Sequence, residues 1–209
     1  MNRWFAAGAV SFGLFVALGI AVARHPLGID LAVAGAFEGL WRGTPGRLTT
    51  VFSDVVGLVL PAVFMIGVLL GAVLAWYRQA RREAGVALRV LAVYALGRCV
   101  SWLGKPLFVR ERPRAYSQFS YPSGHVVSVA SAGLAAVLLC VWLAPRLARR
   151  VALVAGAATV LVALSRLLLG VHWLTDTAGA VLGVLGVGLA SANVLRLLPR
   201  PVPVRTPTA

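Results

Sequence analysis

Six stretches of the sequence, roughly residues 4–23, 55–76, 88–104, 126–144, 151–169 and 178–197, are almost uniformly apolar. Each approaches or meets the about twenty residues that a helix needs to cross the hydrocarbon core of a bilayer. A chain in that environment must satisfy its own backbone polar groups, which an apolar run does by forming a helix. The pattern therefore predicts an all-α, polytopic membrane protein with six transmembrane helices, forming one domain over residues 1–209. At 60% hydrophobic and 12% charged residues, the composition excludes an ordinary soluble domain of this length.

Two of the stretches need comment. The third carries Arg89 near its start and Arg98 inside it, and Arg98 is expected to face the bundle rather than lipid. In the first, Arg3, an apolar run and Ala21-Val22-Ala23 also fit a signal peptide with its cleavage site, although the run is long for one. Between the first two spans, Pro26, Gly28, Gly43, Pro45 and Gly46 break the chain, and apolar residues at helical spacing from Ile29 to Trp41 predict a short interfacial helix. The proline-rich end after Leu198 is expected to be a disordered tail.

The net charge is +14, carried by nineteen arginines and one lysine, Lys105, against six acidic residues. These cations lie between apolar runs, not along one basic helix, so membrane topology accounts for them and nucleic acid is not an expected partner. Six spans place Arg3, Arg78, Arg81, Arg82, Arg146, Arg149, Arg150, Arg200 and Arg205 on one side, cytoplasmic by the positive-inside rule. Lys105, Arg110, Arg112, Arg114 and Arg166 fall on the other. Cys99 and Cys140 sit within apolar stretches, without the spacing of a metal knuckle or a disulfide framework.

That second side holds three short blocks. After the third span comes Lys105, six residues, then Arg112-Pro113; next Pro122-Ser123-Gly124-His125, running into the fourth span; and after the fifth span Ser165-Arg166, five residues, His172, three residues, Asp176. An even number of crossings separates the two loops, so they share a membrane face. The blocks resemble the signature of the type 2 phosphatidic acid phosphatase superfamily, with every specified position filled. The resemblance implies a helical core like that of the family's phosphatases and vanadium haloperoxidases.

The residues also argue for themselves. Lys105, Arg112 and Arg166 can bind phosphate oxygens through point charge and bidentate forks, and Ser123 and Gly124 stand at a helix start, where unpaired amides favour anions. Asp176, four residues after His172, can fix that imidazole's tautomer and leave the other nitrogen free to attack phosphorus. His172 is thus the expected nucleophile, and His125 the acid for the leaving oxygen and then the base for water. The family assigns the same roles to the matching histidines. Taken singly, each residue has a plainer reading: an interfacial histidine, a snorkelling lysine, a helix-capping aspartate. Arg110, Glu111 and Arg114 occupy unspecified positions and are expected to be loop charges, with Arg110 or Arg114 able to meet a headgroup or second phosphate.

The expectation is a phosphatase acting on a membrane lipid phosphate or diphosphate through a phosphohistidine, at the extracytoplasmic face of the plasma membrane. Undecaprenyl or other polyprenyl diphosphate, phosphatidylglycerol phosphate and phosphatidic acid are candidates that the resemblance suggests and the sequence does not rank. A lipid phosphotransferase would use the same intermediate. A vanadium haloperoxidase relative or a non-enzymatic lipid transporter fits less well. No cofactor and no metal are expected, because arginine and lysine fill the electrophilic role, and the sequence leaves the oligomeric state open.

Overall fold

A computed structural model describes residues 3–198, so the tail expected after Leu198 lies outside the described residues. Among the described residues eight α-helices run α1 Arg3–Val22, α2 Gly28–Ala36, α3 Gly43–Asp54, α4 Leu60–Tyr77, α5 Arg81–Phe108, α6 Gly124–Leu143, α7 Ala148–Leu168 and α8 Leu174–Val194. A π-helical segment, Val55–Val59, joins α3 to α4 without a break, and a 3-10 turn, Pro145–Leu147, precedes α7. Among the described residues six helical segments are long and apolar enough to cross a membrane, as the hydropathy predicts.

The boundaries differ from the apolar stretches where polar turns extend a helix beyond the bilayer. The second membrane segment runs Gly43–Tyr77, 35 residues, and not from residue 55. At 1.5 Å per residue it is about 52 Å long against a hydrocarbon core of about 30 Å, so its first turns, with Thr44, Arg47, Thr49 and Thr50, stand outside that core. The third spans Arg81–Phe108, 28 residues, because the flanking arginines and Lys105 remain helical. The interfacial helix is shorter than Ile29 to Trp41: α2 stops at Ala36, and turns follow. Chain reversals fall at backbone conformations with positive φ, at Gln79 (62°), Val109 (48°) and Gly170 (62°).

Helices α5, α6 and α8 form the middle of the bundle, with α1 lying along α8, α7 along α6 and α4 along α5. Small residues permit this approach: a Cβ on Gly8 of α1 would come within 3.0 Å of the Gly186 carbonyl oxygen of α8. Near the loops that carry the motifs, Phe15, Phe108 and Tyr121 form an aromatic cluster, with Tyr121 5.0 Å from Phe108 edge-on and 5.4 Å from Phe15 stacked. The Tyr121 hydroxyl donates to the Phe15 carbonyl at 2.7 Å. This anchor on α1 fixes the segment that leads into Ser123 and α6, and burial raises the phenol's pKa, so the hydroxyl stays a donor.

Candidate active site

The C-terminal ends of α5 and α7 and the N-terminal ends of α6 and α8 converge at one end of the bundle around a cavity of about 530 Å³. Lys105, Arg112, Gly124, His125, Arg166 and His172 all line it. Asp176 stands behind His172, fully buried, and Ser123 is fully buried behind Gly124. Of the eight expected site residues, six reach the cavity wall and two support it from behind.

His172 Nδ1 lies 3.2 Å from Asp176 Oδ2, and Arg112 Nη1 donates to His172 Nε2 at 3.3 Å. Guanidinium has no acceptor, so Nε2 must carry the lone pair and Nδ1 the proton, which it donates in a hydrogen bond to Asp176. Burial pushes the His172 pKa down to about 3, past the opposing pull of Asp176, with Arg112 and Arg166 lowering it further. The imidazole is a neutral base with its lone pair among cations.

Asp176 is held as tightly as the ring it orients. Its Oδ2 also accepts from Ser120 Oγ at 2.6 Å and from the Trp173 amide at 2.8 Å, while Oδ1 accepts from Arg110 Nη1 at 2.6 Å. Arg110 was expected to be a loop charge, and here the structure corrects the sequence reading. Its side chain is only 2% exposed and bridges Asp176 to Asp30 of α2, with Nη2 2.7 Å from Asp30 Oδ2. Thr175 completes the network, receiving from Arg110 Nη1 at 2.7 Å and donating its amide (3.0 Å) and hydroxyl (2.8 Å) to Asp30. The physical reason is charge: two buried carboxylates need a cation between them, and only the fork of an arginine meets both.

Two of the cations that line the cavity are anchored through backbone carbonyls. Lys105 Nζ donates to Phe119 O at 2.6 Å; Arg112 donates to Gln118 O at 2.6 Å and Val171 O at 2.7 Å and lies over the Tyr116 ring at 4.3 Å. Burial, with Arg166 nearby, lowers the Arg112 pKa to about 10, which leaves it charged at neutral pH. Arg166, 5% exposed, donates to Ser53 Oγ at 3.3 Å, the partner that an arginine among leucines requires. Arg166 Nε and Ser123 Oγ are buried without a hydrogen-bond partner among the described residues.

His125 has a carboxylate of its own that the sequence did not disclose: its Nε2 is 2.9 Å from Asp54 Oδ1. Asp54 ends α3 immediately before the π-helical segment, and within that segment Gly57 faces the ring so closely that a Cβ would stand 3.0 Å from His125 Cδ2. A π turn inside a helix at such a contact fits its usual place beside functional groups. Asp54→Asn is therefore expected to shift the limb of the pH–rate profile that His125 governs toward lower pH, because the imidazolium loses an anionic partner. An unshifted profile would show that the pair is incidental. Among the described residues no group of three or more His, Cys, Asp or Glu could hold a metal ion.

The arrangement can hold a tetrahedral anion among three cations, present a neutral imidazole lone pair to it, and offer a second imidazole from the same cavity wall. The sequence profile of the PAP2 superfamily matches residues 86–198, more than half of the chain and all three blocks. This chain belongs to the PAP2 superfamily. Its fold is similar to that in the crystal structure of the first transmembrane PAP2 type phosphatidylglycerolphosphate phosphatase, from Bacillus subtilis, at a TM-score of 0.73 and 25% sequence identity. The likeness covers 92% of this chain and 98% of that one. No curated protein sequence matches it. The chain is thus a multi-pass PAP2 membrane phosphatase.

Proposed function

We propose that the protein hydrolyses the terminal phosphate of a membrane lipid, a phosphomonoester or a diphosphate, through a phosphohistidine on His172. The observation that carries the reading is the directed ring: Nδ1–H donates to Asp176, so the Nε2 lone pair stands beside Arg112 in the cavity that Lys105 and Arg166 also line. In the first step Nε2 forms a bond to phosphorus while the bond from phosphorus to the lipid oxygen breaks, and His125, as imidazolium, gives its proton to that oxygen. In the second, His125 takes a proton from water, the resulting hydroxide bonds to phosphorus, and the N–P bond breaks to release phosphate and free His172. The three cations and the amides at the start of α6 stabilise the charge on the equatorial oxygens. A bound phosphate would also give Arg166 Nε, which has no partner among the described residues, an acceptor.

The substrate is a lipid because the cavity opens at the end of a membrane bundle, where a headgroup can enter and its tail stay in the bilayer. Phosphatidylglycerol phosphate, polyprenyl diphosphate and phosphatidic acid are the substrates to assay, by phosphate release from the purified protein in detergent with and without chelator. Release from at least one, insensitive to chelator, supports the reading; release from none supports a transporter or scaffold, and loss with chelator a metal mechanism. The loop arginines argue for a plasma membrane protein with its site on the extracytoplasmic side. Gln118, exposed beside the cavity, tests this: with Cys99 and Cys140 changed to serine, Gln118→Cys should label with an impermeant thiol reagent on intact cells. Labelling only after permeabilisation would place the site in the cytoplasm.

A further inference from the structure

The cavity reaches deeper than three cations and a transferring phosphate require. Arg98, Ser101 and Lys105 all line it, spaced i, i+3 and i+7 on α5 and hence on one face of that helix. Seven residues amount to about 10 Å of rise, so the Arg98 Cα stands that far below that of Lys105, and its side chain reaches back up to the start of α6. Its Nη1 donates to the Gly124 carbonyl at 3.1 Å, and its other guanidinium donors have no acceptor among the described residues. Gly124 lies against both other residues of this face, since a Cβ there would stand 3.3 Å from Ser101 Oγ and 3.9 Å from Lys105 Cε.

Charge gives a second and independent reason. Among the described residues, no carboxylate lies within salt-bridge distance of Arg98, Lys105, Arg112 or Arg166. The nearby Asp54 is engaged by His125 and is half exposed. Four cations therefore face one cavity, whereas a phosphomonoester brings a charge of about −1.5 to −2. An arginine within a span needs polar partners, and the Gly124 carbonyl occupies only one of the Arg98 donors. A lipid places its apolar tail toward the bilayer centre, so whatever meets Arg98 lies between the reacting phosphate and the tail.

We propose that Arg98 and Ser101 form a second anion subsite, which takes a phosphate group lying between the reacting phosphate and the apolar tail of the lipid. The inference rests on the hydrolase reading above and narrows its substrate class to lipids with two phosphate groups. Two chemistries satisfy it: a diphosphate joined directly to the tail, or a phosphomonoester linked through a short polyol to a phosphodiester. Phosphatidic acid, with a single phosphate, leaves Arg98 unmet.

The test compares kcat/KM of the full-length protein on phosphatidylglycerol phosphate, polyprenyl diphosphate and phosphatidic acid. Arg98→Gln should lower the ratio of a two-phosphate lipid to phosphatidic acid about tenfold or more, as expected for loss of a charge-assisted hydrogen bond to an anion. Ser101→Ala, a milder change that guards against misfolding, should lower it about threefold. A drop confined to the diphosphate or to the polyol-linked lipid identifies which of the two the subsite serves. An equal loss on all three lipids would mean that Arg98 merely holds Gly124, and no loss would mean that it binds nothing; either overturns the subsite. Binding of the same lipids to His172→Ala protein, read by displacement of a fluorescent analogue, separates this from failure of the hydrolase reading. If that binding is tight for two-phosphate lipids and Arg98→Gln weakens it about tenfold, the subsite stands whatever the chemistry; unchanged binding overturns it.

Discussion

His172→Ala should reduce phosphate release by about a thousandfold or more while the protein still folds, because the group lost is the one proposed to bond phosphorus. Little of the fold depends on the ring: α8 begins beyond it, and Asp176 keeps its bonds from Ser120, Trp173 and Arg110. The substitution should also change how stability responds to acid. Folded His172 holds its proton only below about pH 3, whereas in the unfolded chain an imidazole does so below about 6.5. Between these values the unfolded state binds the extra proton, so stability falls as pH drops through that window. The variant lacks that contribution, and its melting temperature should fall less between pH 7 and pH 5 than that of the wild type. Retained activity would remove His172 from the chemistry.

The second large effect is structural. Arg110→Met leaves Asp30 and Asp176 buried without their shared cation, and breaking a buried pair in this way costs about 3–5 kcal/mol. For a chain of this size the melting temperature should fall on the order of 10 °C. Adding Asp30→Asn, which removes one of the two stranded charges, should recover part of that loss. Because Arg110 also holds Asp176, the single variant should lose activity in excess of its unfolded fraction. An Arg110→Met protein as stable as the wild type would show that the two carboxylates are not both charged in the fold.

The membrane frame was legible because hydrophobic length is a local property: six runs near the bilayer thickness read directly as six spans, and parity then placed the motif loops together. The spacing of His172 and Asp176 was legible for the same reason, since four residues at a helix start set one geometry. What escaped the sequence depends on contacts across the chain. Asp30 lies 80 residues from Arg110, and Asp54 lies 71 from His125, so neither partnership leaves a trace in local spacing. The available signals were isolated acids in apolar surroundings, Asp30 within an amphipathic turn and Asp54 at the mouth of a span. Arg110 was misread because an arginine in a loop is ordinarily solvated, and only the docking of α2 on α8 shows that this one is enclosed. Ser123 was placed by its motif at a helix start, but packing puts it one layer behind the cavity wall.

The central claim is the covalent intermediate. Rapid acid-free quenching of wild-type protein with lipid labelled in its terminal phosphate should trap label stable to alkali and released by acid, as a phosphorus–nitrogen bond requires. Trypsin cuts after Arg166 and Arg196, so the labelled peptide should be residues 167–196, in which His172 is the only histidine. Label on the peptide of residues 115–146, which holds His125, or no trapped label under conditions where phosphate is released, would contradict the account.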